Sequence, residues 1–202
     1  MPHTPTKQKT QNIPELRFPG FEGEWTSDEL GSLVDLRKVK FSPRDNVENK
    51  QCIELEGLEK ESGKLLRTFN SRDLKSTKNV FYKNDILYGK LRPYLRKFFR
   101  ATFDGICTTE IWVLNGKKLD NGYLYYFVQG DRFNYYTNQS TGSRMPRADW
   151  NFVATVPITY PHSSEQQKIA DFLGSVDEWI EYLRAEKDAW EKYKKGMMQK
   201  IS

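Results

Sequence analysis

The 37 residues from Glu165 to Ile201 contain no proline and only two glycines, Gly174 and Gly196. Within them Ile169, Val176, Leu183, Trp190 and Met197 recur every seven residues, with Phe172, Trp179 and Tyr193 three positions after members of that series. Apolar side chains at these two heptad positions make a coiled-coil seam. At about 1.5 Å per residue the helix is ~55 Å long, against a domain only about 35 Å across. Part of the seam therefore has to meet another helix, and these eight residues are the expected dimerisation and assembly surface. The competing arrangement, one helix folded back over its own domain, leaves Trp179 and Trp190 half exposed and ranks second.

Tyr160-Pro161-His162-Ser163-Ser164 marks the boundary, with Ser163 or Ser164 able to cap the helix. Three regions follow: a loose polar tail over 1–13, a domain over 14–161 and the long helix over 162–202. An aromatic share of 14% is too high for a disordered chain and implies a packed core. The fold class expected is α+β (mixed α/β), a recognition domain followed by a long coiled-coil-forming C-terminal helix. In that domain Ser27 to Leu30 is expected as a short helix ending near Gly31. Val80 to Tyr88 and Ile106 to Leu114 are expected as strands, the latter closed by a turn at Asn115-Gly116. Gly122 to Tyr136 is expected as a helix interrupted near Gly130, and Phe152 to Thr159 as a last strand with Pro157 at an edge or end.

Several function classes are excluded by what the sequence lacks. No apolar run reaches the ~20 residues of a membrane span, and the first residues carry no apolar signal core, so a cytoplasmic location is expected. Two separated cysteines, Cys52 and Cys107, and two histidines, His3 and His162, fit neither a disulfide framework nor a metal site. There is no Gly-rich phosphate loop and no plausible nucleophile and histidine pair, so no catalytic residues and no bound cofactor are expected. Glu48-Asn49-Lys50 is the one hint of a nuclease, and it reads better as a surface loop.

Charge points to a different activity. Residues 60–100 hold twelve Lys or Arg against three acids, a net +9 in a chain whose total is +5. A segregated positive field suits a polyanion, because neutralised phosphates release counterions. Within it, Tyr88-Gly89-Lys90-Leu91-Arg92-Pro93-Tyr94-Leu95-Arg96-Lys97 is a strand end followed by a loop stiffened by Pro93. Arg92 and Arg96 are candidates for bidentate contact with guanine or phosphate, Lys90 and Lys97 for backbone contact, and Tyr94 for packing on sugar or donating to phosphate. A second polar loop over 138–147 adds Ser143, Arg144 and Arg147. Double-stranded DNA is preferred over RNA, since no aromatic stacking platform is evident.

Three segments carry a family resemblance: LRFPGFEGEW, then NDILYGKLRPYLRKFFRATFDGICTTEIWVL, then EQQKIADFLGSVDEWI with a helix ending KKGMMQKI. Glu165-Gln166-Gln167-Lys168-Ile169-Ala170, followed by Leu173 and Asp177, is the most specific part. Residues 15–201 resemble the specificity subunit of bacterial type I restriction and modification systems. The resemblance implies a non-catalytic target-recognition domain and a helix that assembles methyltransferase and restriction/translocation subunits. S-adenosylmethionine is then expected on the methyltransferase partner, which methylates adenine. Family members of full length have two recognition domains and two such helices, whereas this chain has one of each. That implies a half-length form acting as a homodimer on an interrupted palindrome. A self-contained endonuclease and a coiled-coil interaction protein without sequence preference are the alternatives from other classes.

Overall fold

The strand Ile86–Gly89 is buried at every position, which requires packing on both of its faces. In the computed structural model, which describes residues 12–44, 48–139 and 144–201, that strand lies between a second sheet and a layer of helices. The chain begins with β1 (Thr26–Glu29), the single helical turn α1 (Leu30–Leu33) and β2 (Val34–Leu36). Short strands β3 (Lys40–Phe41), β4 (Gln51–Ile53) and β5 (Phe69–Asn70) follow. Next come β6 (Lys78–Phe81), β7 (Ile86–Gly89), β8 (Phe98–Arg100), β9 (Gly105–Thr108) and β10 (Ile111–Gly116). Helices α2 (Asn121–Phe127), α3 (Asp131–Thr137) and α4 (Trp150–Ala154) lead to β11 (Pro157–Tyr160) and to α5 (Ser163–Ile201).

One sheet has the order β2-β10-β7-β8 and the other β3-β6-β9-β4-β5, with β4 and β9 parallel and the remaining neighbours antiparallel. Side chains alternate across a strand, and the layers follow from that period. Leu87, Phe99, Ile111 and Val113 point to the second sheet, where they meet Ile53, Phe81 and Cys107. Ile86, Tyr88, Phe98, Trp112 and Leu114 point the other way, onto Leu124, Val128, Phe133 and Val153 of the helical layer. Cys52 and Ile106 take the outer face of the second sheet with Phe41, so the two cysteines lie on opposite faces.

β1 pairs antiparallel with β11, from Thr26 opposite Tyr160 to Glu29 opposite Pro157. That pairing overrides the local preference of Ser27 to Leu30, which is strand up to Glu29 and becomes helical only at Leu30. Pro157 is the first residue of its strand, as expected, but Phe152 and Val153 belong to α4 and not to a strand. The Asp149 carboxylate accepts the Asn151 N–H at 2.9 Å and so starts that helix. Asn115 and Gly116 continue β10 opposite Asp35 and Val34 instead of forming a turn. Gly116 is needed for another reason: a Cβ there would stand 1.8 Å from the Leu119 carbonyl oxygen. The run Ile106 to Leu114 is two strands in different sheets, whereas the helix break near Gly130 falls between α2 and α3 as expected.

An ion pair between the buried Asp85 and the half-buried Arg37 ties the first sheet together. Asp85, 1% exposed, accepts Arg37 Nε at 2.9 Å and Nη2 at 3.0 Å, Asn115 Nδ2 at 3.0 Å and the Tyr82 N–H at 2.8 Å. Every carboxylate lone pair is engaged, which is what a buried charge demands. No helix among the described residues is long and apolar enough to cross a membrane. Asp85→Ala leaves the Arg37 guanidinium without its partner and is expected to destabilise the fold by about 3 to 5 kcal/mol. Chemical denaturation followed by tryptophan fluorescence measures this.

Candidate nucleic-acid interface

The two basic loops read separately from the sequence are joined by backbone hydrogen bonds. The Arg92 N–H donates to the Pro146 carbonyl at 2.7 Å, and the Ala148 N–H donates to the Lys90 carbonyl at 2.9 Å. Leu91 and Arg147 bridge in between, and the Lys90 N–H reaches the Glu110 carbonyl at 2.9 Å. Pro93 is buried at the start of a 3-10 turn over Pro93–Leu95, and non-glycine residues in left-handed conformation flank it: Arg92 at φ 51° and Arg96 at φ 46°. Each such residue costs about 1 to 2 kcal/mol. The surrounding ladder holds them there.

This frame sorts the candidate residues. Arg92, Tyr94 and Arg144 are exposed and, among the described residues, their side chains make no hydrogen bond or ion pair. Arg96 pairs with Asp131 at 2.5 Å, and Arg147 grips Glu110 through Nε at 3.0 Å and Nη2 at 3.3 Å. Lys97 turns inward and donates to the Leu55 carbonyl at 2.5 Å. Burial lowers its pKa, and nearby Lys60 adds to that shift. Lys90 is half-buried, and Ser143 lies outside the described residues. Of the outward cations, Arg92 sits at the strained turn and Arg144 two residues before the ladder formed by 146–148.

The assembly residues divide along α5. Ile169 packs against the main core, and Phe172 meets Phe18 edge to face at 5.4 Å while staying half exposed. From Tyr182 to Lys200 every side chain is exposed, including Leu183, Trp190, Tyr193 and Met197. Trp179 is 70% and Trp190 63% exposed, and Val176 is also exposed. The helix does not fold back over its own domain. Its root, by contrast, is clamped. The buried Glu165 takes Arg17 Nε at 2.8 Å and Nη2 at 2.7 Å, and Gln166 Oε1 accepts the Asp120 N–H at 2.7 Å. Gln166 Nε2 donates to the carbonyls of Pro161 at 2.9 Å and Lys118 at 3.2 Å.

With two joined basic loops and a clamped, projecting helix in place, comparison with known proteins is decisive. The family described as type I restriction modification DNA specificity domain matches residues 22–191, most of the chain. The chain belongs to this family. It is 25% identical over 166 residues to the EcoDI specificity subunit of Escherichia coli, across 81% of this chain and 37% of that protein. It is 30% identical over 88 residues to the MjaVIII specificity subunit of Methanocaldococcus jannaschii, across 43% of this chain and 21% of that one. Its fold is similar to the crystal structure of the HsdS subunit from Thermoanaerobacter tengcongensis, with a TM-score of 0.70 and 20% identity, over 92% of this chain and 49% of the other. The chain thus spans less than half the length of these relatives.

In this specificity domain one polar surface escaped the sequence reading. A cleft of about 320 Å³ at the β4–β5 hairpin is lined by Asn49, Lys50, Gln51, Thr68, Phe69 and Asn70. Its only sequence signal is a cluster of amides in a stretch too polar to register as strands. At its edge the exposed Glu48 pairs with the half-buried Lys50 at 3.2 Å. Arg92→Gly relieves the left-handed strain and is expected to raise stability by about 1 kcal/mol while removing an outward guanidinium. A rise in urea midpoint combined with weaker DNA binding checks both effects in one variant.

Proposed function

We propose that this specificity domain reads the sequence of double-stranded DNA and does no chemistry on it. The observation that carries the proposal is the joined loop pair, which holds Arg92, Tyr94 and Arg144 outward on a braced backbone. Guanidiniums discriminate bases only when they are positioned, since a bidentate contact to guanine needs both nitrogens aligned. Lys90, Arg96, Lys97 and Arg147 then have a second role: they set the field and brace the loop, and phosphate attraction falls to the positive segment as a whole. Arg96 and Arg147 are held by Asp131 and Glu110, and a polyanion can compete for them at the rim.

The partners follow from α5. Two copies pair through their exposed seams, antiparallel, so that the domains sit at opposite ends of a two-fold assembly. The same helices gather a type I methyltransferase subunit and, with it, a restriction/translocation subunit. S-adenosylmethionine binds to the methyltransferase, which methylates adenine in the cytoplasm. Identical recognition domains related by a two-fold axis read inverted half-sites, so the target is an interrupted palindrome. The endonuclease alternative rests on Glu48 and Lys50, whose charges are spent on each other.

Selection of duplexes from a random pool, with the methyltransferase present, tests the reading. Two inverted half-sites around an unread spacer are expected, and a single uninterrupted asymmetric site contradicts it. Arg92→Ala and Arg144→Ala are each expected to weaken the selected duplex by about 1 to 3 kcal/mol relative to random duplex. Replacing Leu183 and Trp190 with charged residues is expected to release monomers with the globular domain still folded, as seen by sedimentation and circular dichroism.

A further inference from the structure

We infer that α5 pairs with α5 of a second copy in one register, with Phe172 opposite Met197 of the other copy, so that the apolar cavity at the root of each helix receives the C-terminal end of its partner. The inference rests on the homodimer proposed above and adds the contacts that define it. Helical layers in an antiparallel pair match one heptad position with the other. Aligning Phe172 with Met197 also aligns Val176 with Tyr193, Trp179 with Trp190 and Leu183 with Glu186. Between Phe172 and Met197 every exposed seam residue then has a counterpart, and the one polar seam position in that span, Glu186, falls at the centre, while Lys200 comes opposite Ile169, beside the carboxylate of Glu165.

Charge selects the same orientation. From Asp171 to Glu186 the helix carries five acids and one base, Arg184, a net −4. From Lys187 to Lys200 it carries five lysines and two acids, a net +3. Antiparallel pairing sets each acidic half against a basic half, and parallel pairing sets like against like. The flanking positions discriminate between registers. In the one inferred, Lys187 faces Ile180 and Lys194 faces Leu173, while Tyr182 faces Ala189. A slip of one heptad in one direction puts Lys187 against Lys187 of the other copy. A slip in the opposite direction sets Met197 against the buried Glu165, which Arg17 already occupies.

The cavity gives the register its end point. A space of about 430 Å³ lies between the chain before β1 and the first turns of α5, walled by Leu16, Phe18, Trp25, Ile169 and Phe172. Leu16 is 90% exposed beside it. An unbranched thioether side chain such as Met197 fills an irregular apolar space of this kind. The two Ile169 residues then lie about 46 Å apart along the helix axis at ~1.5 Å per residue.

Disulfide trapping in the full chain tests the register. Cys52 and Cys107 are fully buried, and burial pushes the Cys52 thiol up to about 12, so the native thiols stay unreactive. Under mild oxidation the double variant Phe172→Cys/Met197→Cys is expected to form a covalent dimer that reductant dissolves, and each single variant to remain monomeric on a denaturing gel. Val176→Cys/Tyr193→Cys is expected to do the same without touching the cavity. Trapping of Phe172→Cys/Trp190→Cys in preference overturns the register, and self-trapping of Phe172→Cys alone overturns the orientation. A dimer by sedimentation that neither expected pair traps removes the inference and leaves the homodimer standing. A monomer at every concentration removes both.

Discussion

Glu165 and Gln166 are almost wholly buried in the first turn of a 39-residue helix, and the rest of the molecule depends on how they are held. A lever transmits geometry only if its fulcrum is fixed. Arg17 neutralises Glu165 through two short hydrogen bonds, and Gln166 spends its amide on Asp120, Pro161 and Lys118. Each polar atom of the clamp replaces a lost water contact, so burial costs little, and loss of one partner strands the other. The clamp joins three parts distant in sequence: the chain before β1, the start of α2 and the root of α5. Gly122 lets Ala170 approach α2 closely, since a Cβ there would meet the Ala170 Cβ at 3.1 Å. Beyond this root the helix leaves the domain with a fixed direction.

The two basic loops use the opposite device. Where the helix root relies on satisfied polar atoms, Arg92 and Arg96 occupy left-handed backbone that their side chains disfavour. The ladder to residues 146–148 and the buried Pro93 keep them there. Strain held by a frame gives a side chain a defined starting point, which the proposed base reading requires. Below the loop, Tyr88 donates to Asn134 and shares a hydrogen bond with Thr137, both at 3.0 Å, so α3 is bound to the same strand that ends in the loop.

The long helix was legible because its period spans many turns without interruption, and its exposed tryptophans fit the deduction that the seam needs a partner. The Glu165-Gln166 start stood out as a motif, but its physical task, a buried polar clamp, needs partners 148 and 46 residues away that no local pattern reveals. β7 and β10 were visible from their apolar runs. β3, β4 and β5 were not, because strands of two or three residues in polar sequence are fixed by their neighbours and not by propensity. Ser27 to Leu30 failed for the same reason, with β11 deciding its conformation. The basic loops were found individually. Their junction was invisible, since it runs through backbone atoms that carry no side-chain signature.

If a clamped root and a paired seam hold two identical recognition domains at a fixed separation, the spacing of the DNA half-sites is a rigid property of the protein. The most direct measurement is affinity for a set of duplexes that keep the selected half-sites and vary only the unread spacer, at constant salt. Each added or removed base pair turns one half-site by about 34 to 36° around the axis. Binding is expected to fall by at least about tenfold, or ~1.4 kcal/mol, for a change of two base pairs in either direction. Affinity that stays level across the spacer series would contradict the rigid two-domain assembly.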